Sequence, residues 1–228
     1  MEMYDAMLAK FGPQHWWPAR KHLTPHDRKL EICLGALLTQ NTNWGNVEKA
    51  LDRLDKAGAM RVDVLAEIKP CDLAELIRPS GYFNVKATRV KNFIDTIARD
   101  YAGDIENFFG LPLRKLRPVL LGINGIGPET ADSMILYAAG KRTFVVDAYT
   151  RRICLRHDLI ATDDGYDEIK ALYESRVPPL AGLYNEYHAL LVAVGKHFCR
   201  PMARCQGCPL EFLEHDPSRG RPQAGRGK

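Results

Sequence analysis

The sequence predicts an all-α protein, on three observations. Apolar residues recur at helical spacing in several long stretches. Alternating strand patterns are almost absent, "TFVV" at 143–146 being the one short candidate. Glycine and proline punctuation falls at "RPSGYF", "YAGD", "GINGIGP" and "VPPLAG", where helices would end. A chain of 228 residues, 46% hydrophobic and 26% charged, reads as globular and suffices for one large domain or two small ones. The net charge of +4 permits a polyanionic partner without demanding one. Part of that excess lies in the Gly-, Pro- and Arg-rich tail, expected to be disordered over 217–228, so any footprint for a polyanion has to be a local patch. "MEMYDAMLAKFG" lacks a signal-peptide core, and no apolar run reaches the ~18 residues of a membrane span. A cytoplasmic monomer with no membrane contact is the expectation.

Taken in order, "LTPHDRKLEICLGALLTQ" opens a helix with Thr24 as N-cap, Pro25 at the first helical position and Asp27 at the third. Leu30, Cys33, Leu34, Leu37 and Leu38 form its apolar stripe. "VEKALDRL" puts Val47, Leu51 and Leu54 on one face, and "RVKNFIDTIARDY" does the same with Val90, Phe93, Ile94, Ile97 and Tyr101. Leu116, Leu120 and Leu121 close a short helix; after "NGIGPE" the next carries Ala131, Met134, Ile135 and Ala138. "YHALLVAVGKHF" aligns Tyr187, Leu190, Leu191, Val194 and Phe198.

The turn between the two short helices is the sharpest local signal. Gly125 and Gly127 carry no side chain to block a close approach. The helix that follows begins with unpaired N–H groups and partial positive charge, a seat for a phosphate. An ordinary helix–helix turn with a C-cap glycine accounts for the same residues.

Three separated motifs go further. "LLGINGIGPETADSMILYAAG" followed by "FVVDAY", with "LGALLTQNTNWGNVEKAL" and "IRPSGYFNVKATRV" upstream, resembles the helix-hairpin-helix DNA glycosylase superfamily that includes endonuclease III. The likeness runs from about Thr24 to Cys208. It implies two helical lobes with an active cleft between them. One lobe, 25–135, would be a six-helix barrel containing the hairpin; the other would gather 1–24 with 136–216. The implied partner is double-stranded DNA containing a damaged base, gripped at Gly125 and Gly127, with Arg151, Lys196 and Arg200 as further phosphate contacts.

Asp147 stands where the family carries its catalytic aspartate, beneath a sugar that gains oxocarbenium character as the base departs. It could equally cap the helix after "FVV", and the two roles are compatible. At Glu129 the bifunctional members carry a lysine that attacks the sugar and later nicks the strand; a glutamate cannot form that imine. The resemblance therefore implies a monofunctional enzyme that leaves an abasic site.

For the base, Gln40 matches the family glutamine near the space the flipped base vacates. "QHWWPAR" and Trp44 resemble the superfamily's 3-methyladenine DNA glycosylases, so Trp16, Trp17, Gln40 and Trp44 are the expected base pocket. Tryptophan faces attract a cationic N-alkylated purine, although Trp16 and Trp17 would serve equally as a packing anchor. A mismatch uracil or thymine glycosylase, or one for oxidised pyrimidines, is the alternative within the family. A catalytically silent DNA-binding module is the alternative outside it.

Six cysteines complete the picture. Cys33, Cys71 and Cys154 stand alone in apolar helical contexts and are expected in the core. Cys199, Cys205 and Cys208 are spaced C-x5-C-x2-C, where relatives hold a [4Fe-4S] cluster with a fourth cysteine that this chain lacks. Glu214, His215 or Asp216 could complete the shell. A Cys3His zinc site and a metal-free remnant are the other readings.

Overall fold

The computed structural model describes residues 1–18, 20 and 23–220. Its helices are α1 (Glu2–Phe11), α2 (Pro25–Leu38), α3 (Trp44–Lys56), α4 (Val62–Glu67), α5 (Pro70–Leu76) and α6 (Phe83–Asp100). They continue with α7 (Ile105–Gly110), α8 (Leu113–Gly122), α9 (Pro128–Ser133), α10 (Ala148–Arg156), α11 (Tyr166–Arg176) and α12 (Ala181–His197). A 3-10 turn spans Arg78–Ser80, and a π-helical turn, Met134–Ala138, continues α9. No strand forms among the described residues, so the fold is all-α. "TFVV" is a buried irregular segment whose backbone donors are satisfied by side chains: Phe144 N–H donates to Glu174 (2.8 Å) and Val146 N–H to the Tyr166 hydroxyl (3.4 Å). No described helix is long and apolar enough to cross a membrane.

The chain folds as two compact units, Trp17–Lys141 and Met1–Trp16 with Arg142–Lys228. These boundaries shift those expected at 24/25 and 135/136. Trp17 packs against Trp44 and Tyr137 inside the first unit, and the π-helical turn packs on α2 there. The tail expected to be disordered from 217 is ordered to 220, because buried Arg156 donates to the Arg219 carbonyl and Arg219 pairs with Asp158. Residues 221–228 lie outside the described residues.

In the first unit the apolar stripes meet as their spacing requires. Leu30, Cys33, Leu34, Leu37 and Leu38 are fully buried, as are Val47, Leu54, Val90, Phe93, Ile94 and Ile97. Each such side chain contributes about 1.5–3 kcal/mol through area removed from water. Thr24 caps α2 by accepting from Asp27 N–H, and Asn43 caps α3 by accepting from Asn46 N–H. Leu121 departs from its expected place and faces solvent, since only Leu116 and Leu120 share the buried face of α8. Cys71 is exposed at the start of α5, a correction to its expected burial: the apolar face of that helix is Leu73 and Ala74.

The second unit is built on α12. Its Tyr184, Tyr187, Leu190, Leu191 and Val194 are buried, and α10 and α1 pack against it. Phe144 stacks on Tyr173 at 4.2 Å between centroids, with Tyr187 edge-on to both.

Candidate active site

Gly125 adopts φ +98°, a conformation that L side chains avoid, and the stem of Arg89 lies where its Cβ would be, 2.3 Å from Cγ. Gln40 connects the same parts. Its amide nitrogen donates to Thr130 Oγ1 (2.9 Å) and to the Gly125 carbonyl (3.2 Å), while its oxygen accepts from Arg89. Both ends of its amide are thus engaged in bracing the hairpin. Asn92 adds a bond to the Asn124 carbonyl (3.0 Å). Below the turn, fully buried Asp132 of α9 takes Nε and Nη2 of Arg117 of α8, at 3.0 and 3.2 Å.

Gly127 is extended and exposed, with nothing within 4 Å of its Cβ position. The backbone N–H groups of Gly125 and Gly127 donate to no described protein acceptor and are available to an anion. Glu129 is exposed in the first turn of α9, where a carboxylate suits the positive end of the helix.

The motif "IRPSGYFNVKATRV" was legible in the sequence, but the places of its Tyr82 and Lys86 were not. Tyr82 sits at φ +46°, a strained position for an aromatic residue, and is 72% exposed. Lys86 holds this loop. Its buried ammonium donates to the Ser80 carbonyl (2.6 Å) and to the Leu38 carbonyl at the end of α2 (2.8 Å). Burial, with Arg89 nearby, lowers its pKa to about 8. The folded state therefore releases this proton before the unfolded chain does, whose lysine titrates near 10.5. Between about pH 8 and 10.5 the unfolded state holds more protons, and stability gains from this residue as pH rises. Urea unfolding of wild type and Lys86→Met across that range should show the gain only in wild type.

The tryptophans divide. Trp17 and Trp44 meet edge to face at 5.1 Å, with Tyr137 5.2 Å from Trp17. Gly35 of α2 makes room for them: a Cβ there would stand 3.0 Å from Trp17 Cζ2 and 3.4 Å from Trp44 Cη2. The Trp44 indole N–H is buried and has no acceptor among the described residues. Trp16 belongs to the other unit, where Lys196 Nζ lies 5.5 Å from its ring centre.

Asp147 is the N-cap of α10. Its Oδ1 accepts from Thr150 N–H (2.7 Å) and from the Thr150 hydroxyl (2.9 Å). Its Oδ2 stands 3.8 Å from Nε2 of His188 on α12, and the carboxylate keeps 13% of its surface exposed. Burial lowers the His188 pKa, with Asp147 acting in the opposite sense, so the imidazole is neutral near pH 7. The arrangement is a carboxylate fixed by Thr150 through Oδ1, with Oδ2 facing His188.

Of the expected phosphate contacts, Arg151 is redirected: its guanidinium bonds to the Thr162 and Asp164 carbonyls and fixes that loop. Lys196 and Arg200 are exposed, Arg200 donating Nε to the Lys196 carbonyl (2.8 Å).

Cys199, Cys205 and Cys208 line one recess of about 340 Å³ including its mouth, together with His157, His215 and the apolar Val194, Phe198 and Leu210. Among the described residues no three His, Cys, Asp or Glu side chains converge on a single ion, so a mononuclear zinc site is not formed. A polynuclear cluster needs a different arrangement, with thiolates around a cavity on separate metal atoms. Arg156 supplies a test of that fit. It is 2% exposed and donates to Cys199 Sγ (3.2 Å) and to the Arg200, Pro201 and Arg219 carbonyls, with no carboxylate partner. Glu211 lines the same recess; a buried cation that donates to one of its three thiols suits an anionic metal–thiolate group.

Comparisons with known proteins agree with this construction. The family model described as HhH-GPD superfamily base excision DNA repair protein matches residues 34–179. A Methanocaldococcus jannaschii protein that carries the provisional name DNA repair glycosylase is 41% identical over 212 residues, 92% of this chain and 93% of its own length. The structure of Helicobacter pylori 3-methyladenine DNA glycosylase bound to 1,N6-ethenoadenine is 31% identical, with a TM-score of 0.70 over 86% of this chain and 98% of that one. A non-covalent endonuclease III–DNA complex shares the fold at 21% identity, TM-score 0.76, over 94% and 92% of the two chains. With the hairpin, the capping aspartate and the whole helical framework accounted for, the chain belongs to the HhH-GPD superfamily of base-excision DNA repair proteins.

Proposed function

We propose that this chain is a monofunctional DNA glycosylase that removes an N-alkylated purine from duplex DNA by hydrolysis and leaves the strand intact. The observation that carries the reading is the Trp17–Trp44 pair over Gly35, with a buried indole N–H that lacks an acceptor. Tryptophan faces favour a flat, positively charged base, and an indole N–H without an acceptor among the described residues can serve one on it. The 31% identity to a 3-methyladenine DNA glycosylase supports the same substrate class.

The chemistry follows from the charges. An N-alkylated purine departs with the electron pair of the glycosidic bond and becomes neutral, so no acid is needed to protonate it. The sugar is left cationic at C1′. Asp147 stabilises that charge through its free oxygen and orients the water whose oxygen forms the new bond to C1′; the water's proton passes by way of the carboxylate to solvent. Glu129 offers no amine, so no imine forms and no strand is cut. The hairpin N–H groups of Gly125 and Gly127 hold phosphate and read no sequence. A cluster on Cys199, Cys205 and Cys208 would be structural, shaping the basic Arg200–Arg204 loop, and no step of hydrolysis passes through it.

Single-turnover base release from duplexes carrying 3-methyladenine, uracil, a thymine–guanine mismatch or an oxidised pyrimidine tests this. Release of the alkylated purine, with nicks only after alkali, is expected. Release of a pyrimidine alone would overturn the substrate, nicking without alkali would overturn the monofunctional mechanism, and tight binding with no release would leave a DNA-binding module. Trp44→Ala should lower alkylpurine release about tenfold, the scale of one stacking contact, with little change in affinity for undamaged duplex.

A further inference from the structure

The chain has only three cysteines in the C-terminal recess, and three residues that follow them could supply the fourth ligand of a cluster. The structure separates these three. Glu214 is exposed and does not line the recess; its carbonyl accepts from His157 Nδ1 (3.2 Å). Asp216 is also exposed and outside the lining, and its Oδ1 takes the Ser218 N–H and hydroxyl at 2.8 and 2.6 Å. His215 alone of the three lines the recess, half-buried beside Cys199, Cys205 and Cys208.

Its tautomer is also set. His215 Nδ1 lies 2.7 Å from the Leu213 carbonyl, an atom that can only accept, so Nδ1 carries the proton and Nε2 presents its lone pair. Imidazoles that bind metals are commonly oriented this way, by a hydrogen bond from the second nitrogen to a backbone carbonyl. His157 lines the recess as well, its Nδ1 likewise beside a backbone carbonyl (Glu214, 3.2 Å), so it is the competing imidazole: His157→Ala should leave iron content and nitrogen coupling as in wild type, and loss of the coupling there would overturn the assignment to His215.

We infer that His215, through Nε2, is the fourth ligand of an iron–sulfur cluster held by Cys199, Cys205 and Cys208, a three-thiolate, one-imidazole site. The inference rests on the cluster reading given above. Assembly takes ferrous and ferric iron with sulfide, and the three thiols give up their protons to solvent on binding. Such a cluster carries one negative charge fewer than a four-thiolate one. Buried Arg156 already donates to Cys199 Sγ, and replacing thiolate by imidazole raises the reduction potential.

The test uses full-length protein reconstituted anaerobically with ferrous and ferric iron and sulfide, in wild type, His157→Ala, His215→Ala and His215→Cys. Iron and sulfide are assayed, and the reduced cluster is examined by electron paramagnetic resonance with detection of nitrogen hyperfine coupling. Wild type should bind iron and sulfide in equal amounts and show coupling to an imidazole nitrogen. His215→Cys should keep the cluster, lose the coupling and shift to a more negative potential; His215→Ala should lose most of its iron on gel filtration. A cluster in wild type without nitrogen coupling, retained unchanged in His215→Ala, would overturn the ligand assignment and leave the cluster standing. No iron in either wild type or His215→Cys, with the circular dichroism of folded protein, would overturn the cluster itself.

Discussion

Asp147→Asn should lower single-turnover base release by about 10²–10³-fold, the range found when one group that stabilises transition-state charge is removed. The geometry makes this exchange cleaner than Asp147→Ala. Asparagine is as good an N-cap as aspartate, and its amide oxygen can still accept from Thr150 N–H and hydroxyl at the start of α10. The helix and its packing on α12 are retained, and only the negative charge is lost. Affinity for duplex DNA should therefore stay within about threefold, because the phosphate contacts lie elsewhere. Asp147→Ala should lose the same activity and, in addition, about 1 kcal/mol of stability from the missing cap. Rates measured with a chemically defined alkylpurine duplex, alongside urea unfolding, separate the two. If Asp147→Asn retained wild-type release, the carboxylate would be a cap and nothing more.

Gly125→Ala should destabilise the first unit by about 2–4 kcal/mol, the sum of a disfavoured backbone angle and displacement of a packed side chain. The new methyl would fall 2.3 Å from Arg89 Cγ and 3.0 Å from Arg89 Cβ, so the clash involves the base of that side chain and not its flexible end. Moving Arg89 also removes the partner of the Gln40 oxygen and loosens the bond from Gln40 to the turn. Duplex affinity should fall by tenfold or more in fluorescence anisotropy at temperatures where the variant remains folded. Gly127→Ala is the control. Its backbone is extended, its Cβ position is open, and its stability should stay within about 0.5 kcal/mol of wild type. Equal effects at the two glycines would mean that the turn is not braced as described.

Much of the fold was legible because helical periodicity reports burial directly. Every residue of the stripe Leu30, Cys33, Leu34, Leu37 and Leu38 is in the core, and Thr24 caps the helix it was expected to start. Spacing says nothing, however, about where a polar side chain finds its partner. Gln40 and Arg151 both bond to carbonyls distant in sequence, Gly125 for one and the 162–164 loop for the other. Adjacent residues could also not be told apart: Trp16 and Trp17 are neighbours in the chain and belong to different units. Tyr82 escaped notice because strain is a property of backbone angle, which composition does not encode. The cysteine spacing identified the recess, while the choice of His215 over Glu214 and Asp216 needed side-chain directions.

The Arg117–Asp132 pair and the Gln40–Arg89 contact together brace the hairpin before any DNA is present. If the hairpin holds phosphate as proposed, a socket formed in advance would grip any phosphodiester with equal readiness, whether or not the duplex is damaged. Encounter with DNA is then governed by counterion release and permits sliding along intact duplex. Discrimination is deferred to the moment a base leaves the stack. On long undamaged DNA, turnover would be limited by the search at low salt and by capture at high salt, with the bond-breaking step unchanged in both.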